Sequence, residues 1–201
     1  MSEQLFIEVI KVENGVFVNP QPHIERIFST TQHFFSKPLS IALNNNIIPA
    51  QLRTVDIVKC RIVYDSEIVS IDFEPYKMRT INSLSLAEHN TIDYTYKYHN
   101  RDAINNLRAL DSKGDDILII KNTLVTDTSF TNVVFKDHAG KLYTPKSTLL
   151  AGTKRRQLLN AGVIHEKEIK VSDIRLYVGV YLINAMIDIE DDVFVGVDAI
   201  I

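Results

Sequence analysis

The stretch "LFIEVIKVENGVFV" (residues 5–18) holds two apolar-rich runs joined by Asn14-Gly15. A tight primed turn needs positive φ at both central residues, which Asn-Gly supplies, so the pattern predicts a β-hairpin over residues 1–18. After the punctuation of Pro20 and Pro22, Ile24, Ile27, Phe28, Thr31, Phe34 and Phe35 recur at helical spacing. They predict an amphipathic helix over 22–36, ended near Pro38 and flanked on its apolar stripe by Arg26. "VDIVKCRIVYDSEIVSIDFEPY" (55–76) then reads as two strands turning at Asp65-Ser66. The N-terminal part is therefore a small α+β unit.

The pattern changes near residue 86. A helix over 101–112 carries Ala103, Ile104, Leu107 and Leu110 and stops before Gly114. "DILIIKN", "LVTDTSFTNVVF" and "KLYTP" read as strands, and a second helix runs from Gly152 to Gly162, the expected glycine beyond a helix end. "EIKVSDIRLYVGV" gives a strand and a capped helical turn, and "VYLINAMIDI" and "VFVGVDAII" close with strands. With no internal repeat and no Gly/Ser linker, the expectation is two packed lobes, a small one over 1–85 and a larger one over 86–201.

Bulk properties exclude several function classes. A net charge of −3 provides no excess positive charge to release the counterions of a nucleic acid. A single cysteine, Cys60, permits no intrachain disulfide, and with no basic-then-apolar leader the expected compartment is the cytoplasm. "LYVGVYLINAMI" (176–187) is too short to span a bilayer and carries Asn184, so it reads as core and no membrane is expected. The histidines show no HxH, HxxxH or HExxH spacing, and no metal site is expected. GxSxG, GxGxxG and Walker A loops are absent as well.

Four segments carry possible chemistry. In "YKYHNR", Lys97 lies in a run whose alternation suggests a half-buried strand, with Tyr94, Tyr96 and Tyr98 on one side and Thr95, Lys97 and His99 on the other. Packed aromatics would desolvate its ammonium and favour the nucleophilic free amine; a snorkelling strand lysine fits the same pattern. In "TDTSFTN", Asp127 among hydroxyl residues is either a buried carboxylate suited to a cationic ring nitrogen or an Asx turn. "TPKSTLLAGTKRRQLL" leads through Gly152-Thr153 into a helix whose unpaired N–H groups suit a phosphate, or starts an ordinary helix with Lys154, Arg155 and Arg156 as a solvated basic patch. In "INAM", Asn184 needs hydrogen bonds if buried, from structure or from ligand.

A lysine nucleophile, a ring-nitrogen carboxylate and a phosphate-binding helix start are the parts a pyridoxal phosphate enzyme requires. In order along nearly the whole chain, the segments resemble the class IV aminotransferases, the group that includes aminodeoxychorismate lyase, D-amino acid transaminase and branched-chain transaminase. "FIEVIKVENGVFVNPQPHIER" resembles the N-terminal hairpin and helix, with His-x-x-Arg at His23 and Arg26. "YKYHNR" is similar to the Schiff-base lysine segment, "TDTSFTN" to the carboxylate turn, "LLAGTKR" to the Gly-x-x-Arg phosphate loop and "INAM" to the late Asn-Ala.

The resemblance implies a two-lobed α+β fold of the D-amino acid aminotransferase kind (fold type IV), with pyridoxal 5′-phosphate between the lobes, and a homodimer. It implies Lys97 as the covalent anchor and base, and Asp127 opposite the pyridine nitrogen within a turn that includes Asn132. Arg26, Thr153, Lys154, Asn184 and Ala185 are implied at the phosphate. Most family members have Glu where this chain has Asp127. The substrate is implied to be a small amino compound: an aminodeoxychorismate lyase-like reaction that loses pyruvate to leave 4-aminobenzoate, with a transaminase as the alternative. A catalytically idle relative, binding through Lys154, Arg155 and Arg156, is the further alternative. Arg61 and Arg79 are candidates for a substrate carboxylate by charge alone.

Overall fold

The computed structural model describes residues 4–111 and 113–201. Contacts divide the chain into two compact units, one running to Met78 together with Tyr96–Asn100, the other comprising Arg79–Thr95 and Arg101–Ile201. The division expected at 85/86 thus falls at 78/79. Lys97, expected in the C-terminal lobe, belongs by its contacts to the first unit.

In the first unit, β1 (Phe6–Glu13) turns into β2 (Val16–Phe17), and α1 (Gln21–Phe35) precedes the antiparallel pair β3 (Ile57–Tyr64) and β4 (Ile68–Pro75). The sheet order is β2-β1-β3-β4. Asn14 and Gly15 have φ of 49° and 76°, the primed turn that their types predict. Residues 1–3 of the expected hairpin lie outside the described residues. Phe6, Glu8, Ile10 and Val12 alternate onto one face of β1 and are all fully buried. Phe6, Ile10 and Val12 join Val58, Cys60, Ile62, Tyr64 and Ile27 in one core. The helix stripe is narrower than its spacing suggests, because Phe28 remains 49% exposed.

The second unit contains β5 (Leu84–Glu88), α2 (Asp102–Leu110), β6 (Asp116–Lys121), β7 (Leu124–Thr128), β8 (Asn132–Lys136) and β9 (Leu142–Pro145). It continues through α3 (Thr153–Asn160), β10 (His165–Lys167), β11 (Gly179–Ile183) and β12 (Phe194–Gly196). The strands form two sheets, β5-β6-β7 and β10-β9-β8-β11-β12. β5 pairs with β6 and β9 with β10 in parallel, and each parallel pair has a helix in its connection, as parallel pairing demands. α2 is shorter than expected, and Leu110 is 85% exposed instead of packed; position 112 of the expected helix lies outside the described residues. α3 closes with Gly162 at φ 69°, while the N–H of Val163 reaches back to the Leu158 carbonyl. That is the glycine-terminated helix end foreseen from sequence.

Several predicted strands differ: the strand expected in "EIKV" lies instead at His165–Lys167, and of "VFVGVDAII" only Phe194–Gly196 is a strand, followed by a 3-10 turn at Val197–Ala199. "LVTDTSFTNVVF" is broken at Ser129–Thr131 into β7 and β8, which belong to different sheets. The turn is closed by Thr128, whose Oγ1 lies 2.7 Å from Thr131 Oγ1 and accepts the Thr131 N–H at 3.1 Å. The run 91–98 is not a strand. Tyr98 alone makes a bridge, to Phe6, and Tyr94 falls in the second unit while Tyr96 and Tyr98 fall in the first. An Asx turn at Asp93, whose carboxylate accepts the Thr95 N–H and hydroxyl, breaks the run.

Candidate functional site

Lys97 is half-buried, and its backbone is fixed at the start of β1. Its carbonyl accepts the Ile7 N–H at 2.9 Å, and the His99 N–H donates to the Leu5 carbonyl at 2.9 Å. The flanking Tyr96 and Tyr98 rings pack on Phe6, at 6.4 and 5.5 Å between centroids, and Phe34 lies 4.7 Å from both Phe6 and Tyr96. The tyrosines around the lysine thus anchor its peptide to the sheet through aromatic contact.

The same unit holds a charged cluster missed by sequence reasoning. Glu8, fully buried on β1, accepts from Arg26 Nε at 2.6 Å and Arg26 Nη2 at 2.7 Å, and lies 2.6 Å from His23 Nδ1. His23 and Arg26 are three residues apart on α1, which places them on one helix face above the strand. Burial pushes the Glu8 carboxyl up, but the charge and hydrogen bonds of Arg26, with the hydrogen bond of His23, outweigh it and hold the pKa at about 2. Burial lowers the His23 pKa against the pull of Glu8, with the charges of Arg26 and Lys97 adding to the depression. A neutral His23 facing an ionised Glu8 carries its proton on Nδ1 and donates it. Tyr64, hydrogen-bonded to Thr30, is pushed well above the ordinary phenol range by burial and by Glu8. The available signal was Glu8 itself, a charge on the apolar side of an alternating strand.

In the second unit, Asp127 on β7 is 5% exposed. Its Oδ2 accepts the backbone N–H groups of Leu149 and Leu150, each at 2.9 Å, and its Oδ1 accepts Asn132 Nδ2 at 2.8 Å. Thr148 Oγ1 lies 2.7 and 2.8 Å from the two oxygens. Burial pushes the pKa of Asp127 above the ordinary carboxylate value, against these hydrogen bonds. Asn132 also donates to the Leu150 carbonyl at 2.9 Å. A Cβ on Gly152 would stand 1.9 Å from Asn132 Oδ1, so the glycine is required by the side chain of Asn132. One amide therefore ties the carboxylate to the start of α3.

α3 begins without a side-chain cap at Gly152, and Thr153, Lys154 and Arg155 are all buried. Lys154 pairs with Asp188, and Arg155 donates to Glu166 at 2.7 Å and to the Pro145 carbonyl at 3.0 Å. The solvated basic patch is thus reduced to Arg156, the exposed member of the three. Asn184, half-buried at the end of β11, donates to the Phe130 carbonyl at 3.3 Å and accepts the Met186 N–H at 2.8 Å. Ala185 lies in the turn this closes. In the first unit the site residues Arg26 and Lys97 come together with Glu8 and His23; in the second, Asp127, Asn132, Thr153 and Lys154 share one loop-and-helix assembly. Arg61 stands opposite Asp72 in the sheet, and exposed Arg79 lies 5.3 Å from the Phe130 ring. Among the described residues, no three His, Cys, Asp or Glu gather as metal ligands.

The profile of amino-transferase class IV matches residues 5–190. The chain belongs to the class IV aminotransferase family. That family consists of pyridoxal phosphate-dependent enzymes, and the chain has their fold type IV architecture. An uncharacterized protein of Haemophilus influenzae is 34% identical over 182 residues, 89% of this chain and 96% of that one. A crystal structure from Haemophilus somnus, provisionally assigned as a 4-amino-4-deoxychorismate lyase, superposes with a TM-score of 0.81 at 29% identity, covering 92% of this chain and 98% of that one. The branched-chain amino acid aminotransferase of Escherichia coli shares the fold at 13% identity and a TM-score of 0.73, over 92% of this chain and 74% of its own. No helix among the described residues is long and apolar enough to cross a membrane.

Proposed function

We propose that this class IV enzyme binds pyridoxal 5′-phosphate through Lys97 and carries out an aminodeoxychorismate lyase-like reaction, releasing pyruvate and leaving 4-aminobenzoate. The observation that carries the choice of reaction is the end-to-end likeness to the Haemophilus somnus structure, which covers nearly all of both chains. The residues fit the cofactor. A half-buried lysine on a fixed backbone, a buried carboxylate, and a helix start with no side-chain cap offer an amine, a ring-nitrogen partner and backbone donors for a phosphate.

When bound, the cofactor supplies an aldehyde that condenses with amines and a ring that draws electron density from the substrate Cα. Lys97 would hold that aldehyde through its side-chain amine and would take the proton from the substrate Cα. Asp127 would pair with the ring nitrogen and favour its protonated form. Arg26, the backbone at Thr153 and Lys154, and Asn184 with Ala185 would bind the phosphate; Asn132 ties Asp127 to the Leu150 carbonyl. The reading carries with it a homodimer, to be checked by light scattering, and a cytoplasmic location.

The family match favours one second reading, a transaminase in which the same lysine returns the proton to the cofactor. Incubation with aminodeoxychorismate and no keto acid acceptor separates the two. Pyruvate release supports the lyase; conversion of the cofactor to its amine form by amino acids, without pyruvate release, replaces it with the transaminase. A colourless protein whose spectrum does not change on adding pyridoxal phosphate removes both and leaves the idle relative, whose contact surface then rests on Arg156.

A further inference from the structure

Two consecutive cations at the start of α3 are buried, and each is committed to a different neighbour. Arg155 braces the helix against β9 and β10 through the Pro145 carbonyl and Glu166. Lys154 pairs instead with the carboxylate of Asp188, which stands directly after the turn that carries Asn184 and Ala185. The side chain of Lys154 is 10% exposed and that of Asp188 26%, so the pair is shielded. A solvated surface pair would contribute little; this one leaves a buried charge if either partner is removed.

Both ends of the pair are fixed by backbone. Asn184 and Ile187 exchange N–H bonds to each other's carbonyls at 3.1 and 3.2 Å, Asn184 Oδ1 accepts the Met186 N–H at 2.8 Å, and the Asp188 N–H donates to Asp191 Oδ2 at 2.8 Å. Asp188 therefore moves with the Asn184–Ile187 turn. On the helix, the Arg156 N–H donates to the Gly152 carbonyl at 3.0 Å, so Lys154 moves with the uncapped start. One turn further along α3, Leu158 packs, as Ile189 does, against the apolar cluster that contains Ile183. The ion pair is thus the polar end of an apolar contact between the helix and the β11 end.

We propose that Lys154 and Asp188 are positioning residues whose ion pair is a strut, holding the start of α3 and the Asn184–Ala185 turn at the spacing at which both reach one phosphate group. The inference rests on the pyridoxal phosphate reading above, in which those two segments bind the phosphate. Donors on separate segments act on one anion at full strength only when their spacing is set before it arrives, because no ordering is then left to be done on binding. With its ammonium held by Asp188, Lys154 serves the phosphate through its backbone, and its side chain sets the distance.

The test titrates cofactor-free full-length protein with pyridoxal phosphate, and with pyridoxal, which has the same ring and aldehyde and no phosphate, in the wild type, Asp188→Asn and Asp188→Glu. Asp188→Asn is expected to lose about tenfold in affinity for pyridoxal phosphate, the worth of one charge-assisted hydrogen bond, and to bind pyridoxal as the wild type does. Asp188→Glu keeps the carboxylate and restores the phosphate preference. A cofactor-free readout accompanies it: thermal unfolding of the free protein shifts down in Asp188→Asn and recovers in Asp188→Glu. If Asp188→Asn does not fold with an unpaired ammonium, Lys154→Met/Asp188→Asn removes that charge and carries the same expectation. An unchanged ratio between the two compounds, the mark of a merely structural pair, overturns this proposal. Tighter binding of pyridoxal phosphate by Asp188→Asn overturns it too, since Lys154 is then a phosphate ligand that Asp188 holds back. Both outcomes leave the proposed function standing. A wild type that binds the two compounds equally, or neither, overturns both.

Discussion

Glu8 in the first unit and Asp127 in the second are both buried carboxylates, yet their protons are held in opposite senses. Glu8 faces a guanidinium and an imidazole and has its pKa at about 2. Asp127 meets two backbone N–H groups, an amide and a hydroxyl, all neutral, and burial prevails, so its pKa rises. Four neutral hydrogen bonds do not replace the hydration a carboxylate loses, whereas one bidentate arginine with a histidine beside it does. Each arrangement matches its proposed task. A fixed anion orients Arg26 and His23 near the lysine, and a carboxylate lacking a cation is suited to a protonated ring nitrogen.

The largest break in this contrast removes the cation. Arg26→Met leaves buried Glu8 without its cation and with only His23 as a partner, and urea unfolding at pH 7 should show a loss of about 3–5 kcal/mol. A loss below 1 kcal/mol would mean that the ion pair does not govern Glu8. Next comes the pH dependence. The folded value of Glu8 lies below its ordinary 4.5, so its contribution is complete above pH 4.5 and is lost as the pH falls toward about 2. The depression corresponds to roughly 3 kcal/mol. Asp127 runs the other way: its folded value lies above 3.8, so its contribution is complete below pH 3.8 and is lost as the pH rises through the folded value. Unfolding series from pH 2 to 8 should show the acid limb flattened in Glu8→Gln and the opposing trend removed in Asp127→Asn. Unchanged slopes in both variants would erase the contrast. The smallest effect is steric. Gly152→Ala should cost about 1–3 kcal/mol by forcing its methyl against Asn132. In a double-mutant cycle, Asn132→Ala should relieve most of that clash, and simple additivity would show that the two positions do not touch.

The legible parts of the molecule were those decided by a few adjacent residues. Asn14-Gly15 and Gly162 dictate φ locally, so the first hairpin and the end of α3 were evident from the chain. The segments carrying Lys97, Asp127 and Gly152 were visible as chemistry because their residue types are unusual together. Glu8 was hidden because helix and strand had to be superposed before its partners came within reach. The parallel pairings of β5 with β6 and β9 with β10 were hidden too, since no local pattern encodes a partner across a crossover. The run 91–98 alternates like a strand, but Asp93 captures Thr95, and the chain changes units after that residue. Periodicity records which side chains alternate, and is silent about which sheet the backbone joins.

The placement of Tyr96–Asn100 with the first unit bears on how the chain is made. A nascent chain released as far as Met78 already has all four strands of that sheet, yet the Ile7 N–H still lacks the Lys97 carbonyl, and Phe6 still lacks the rings of Tyr96 and Tyr98. The N-terminal unit therefore cannot finish during early translation. Its last backbone bonds, and the setting of the lysine, wait until the ribosome has delivered a hundred residues and emptied its exit tunnel of the segment that carries them.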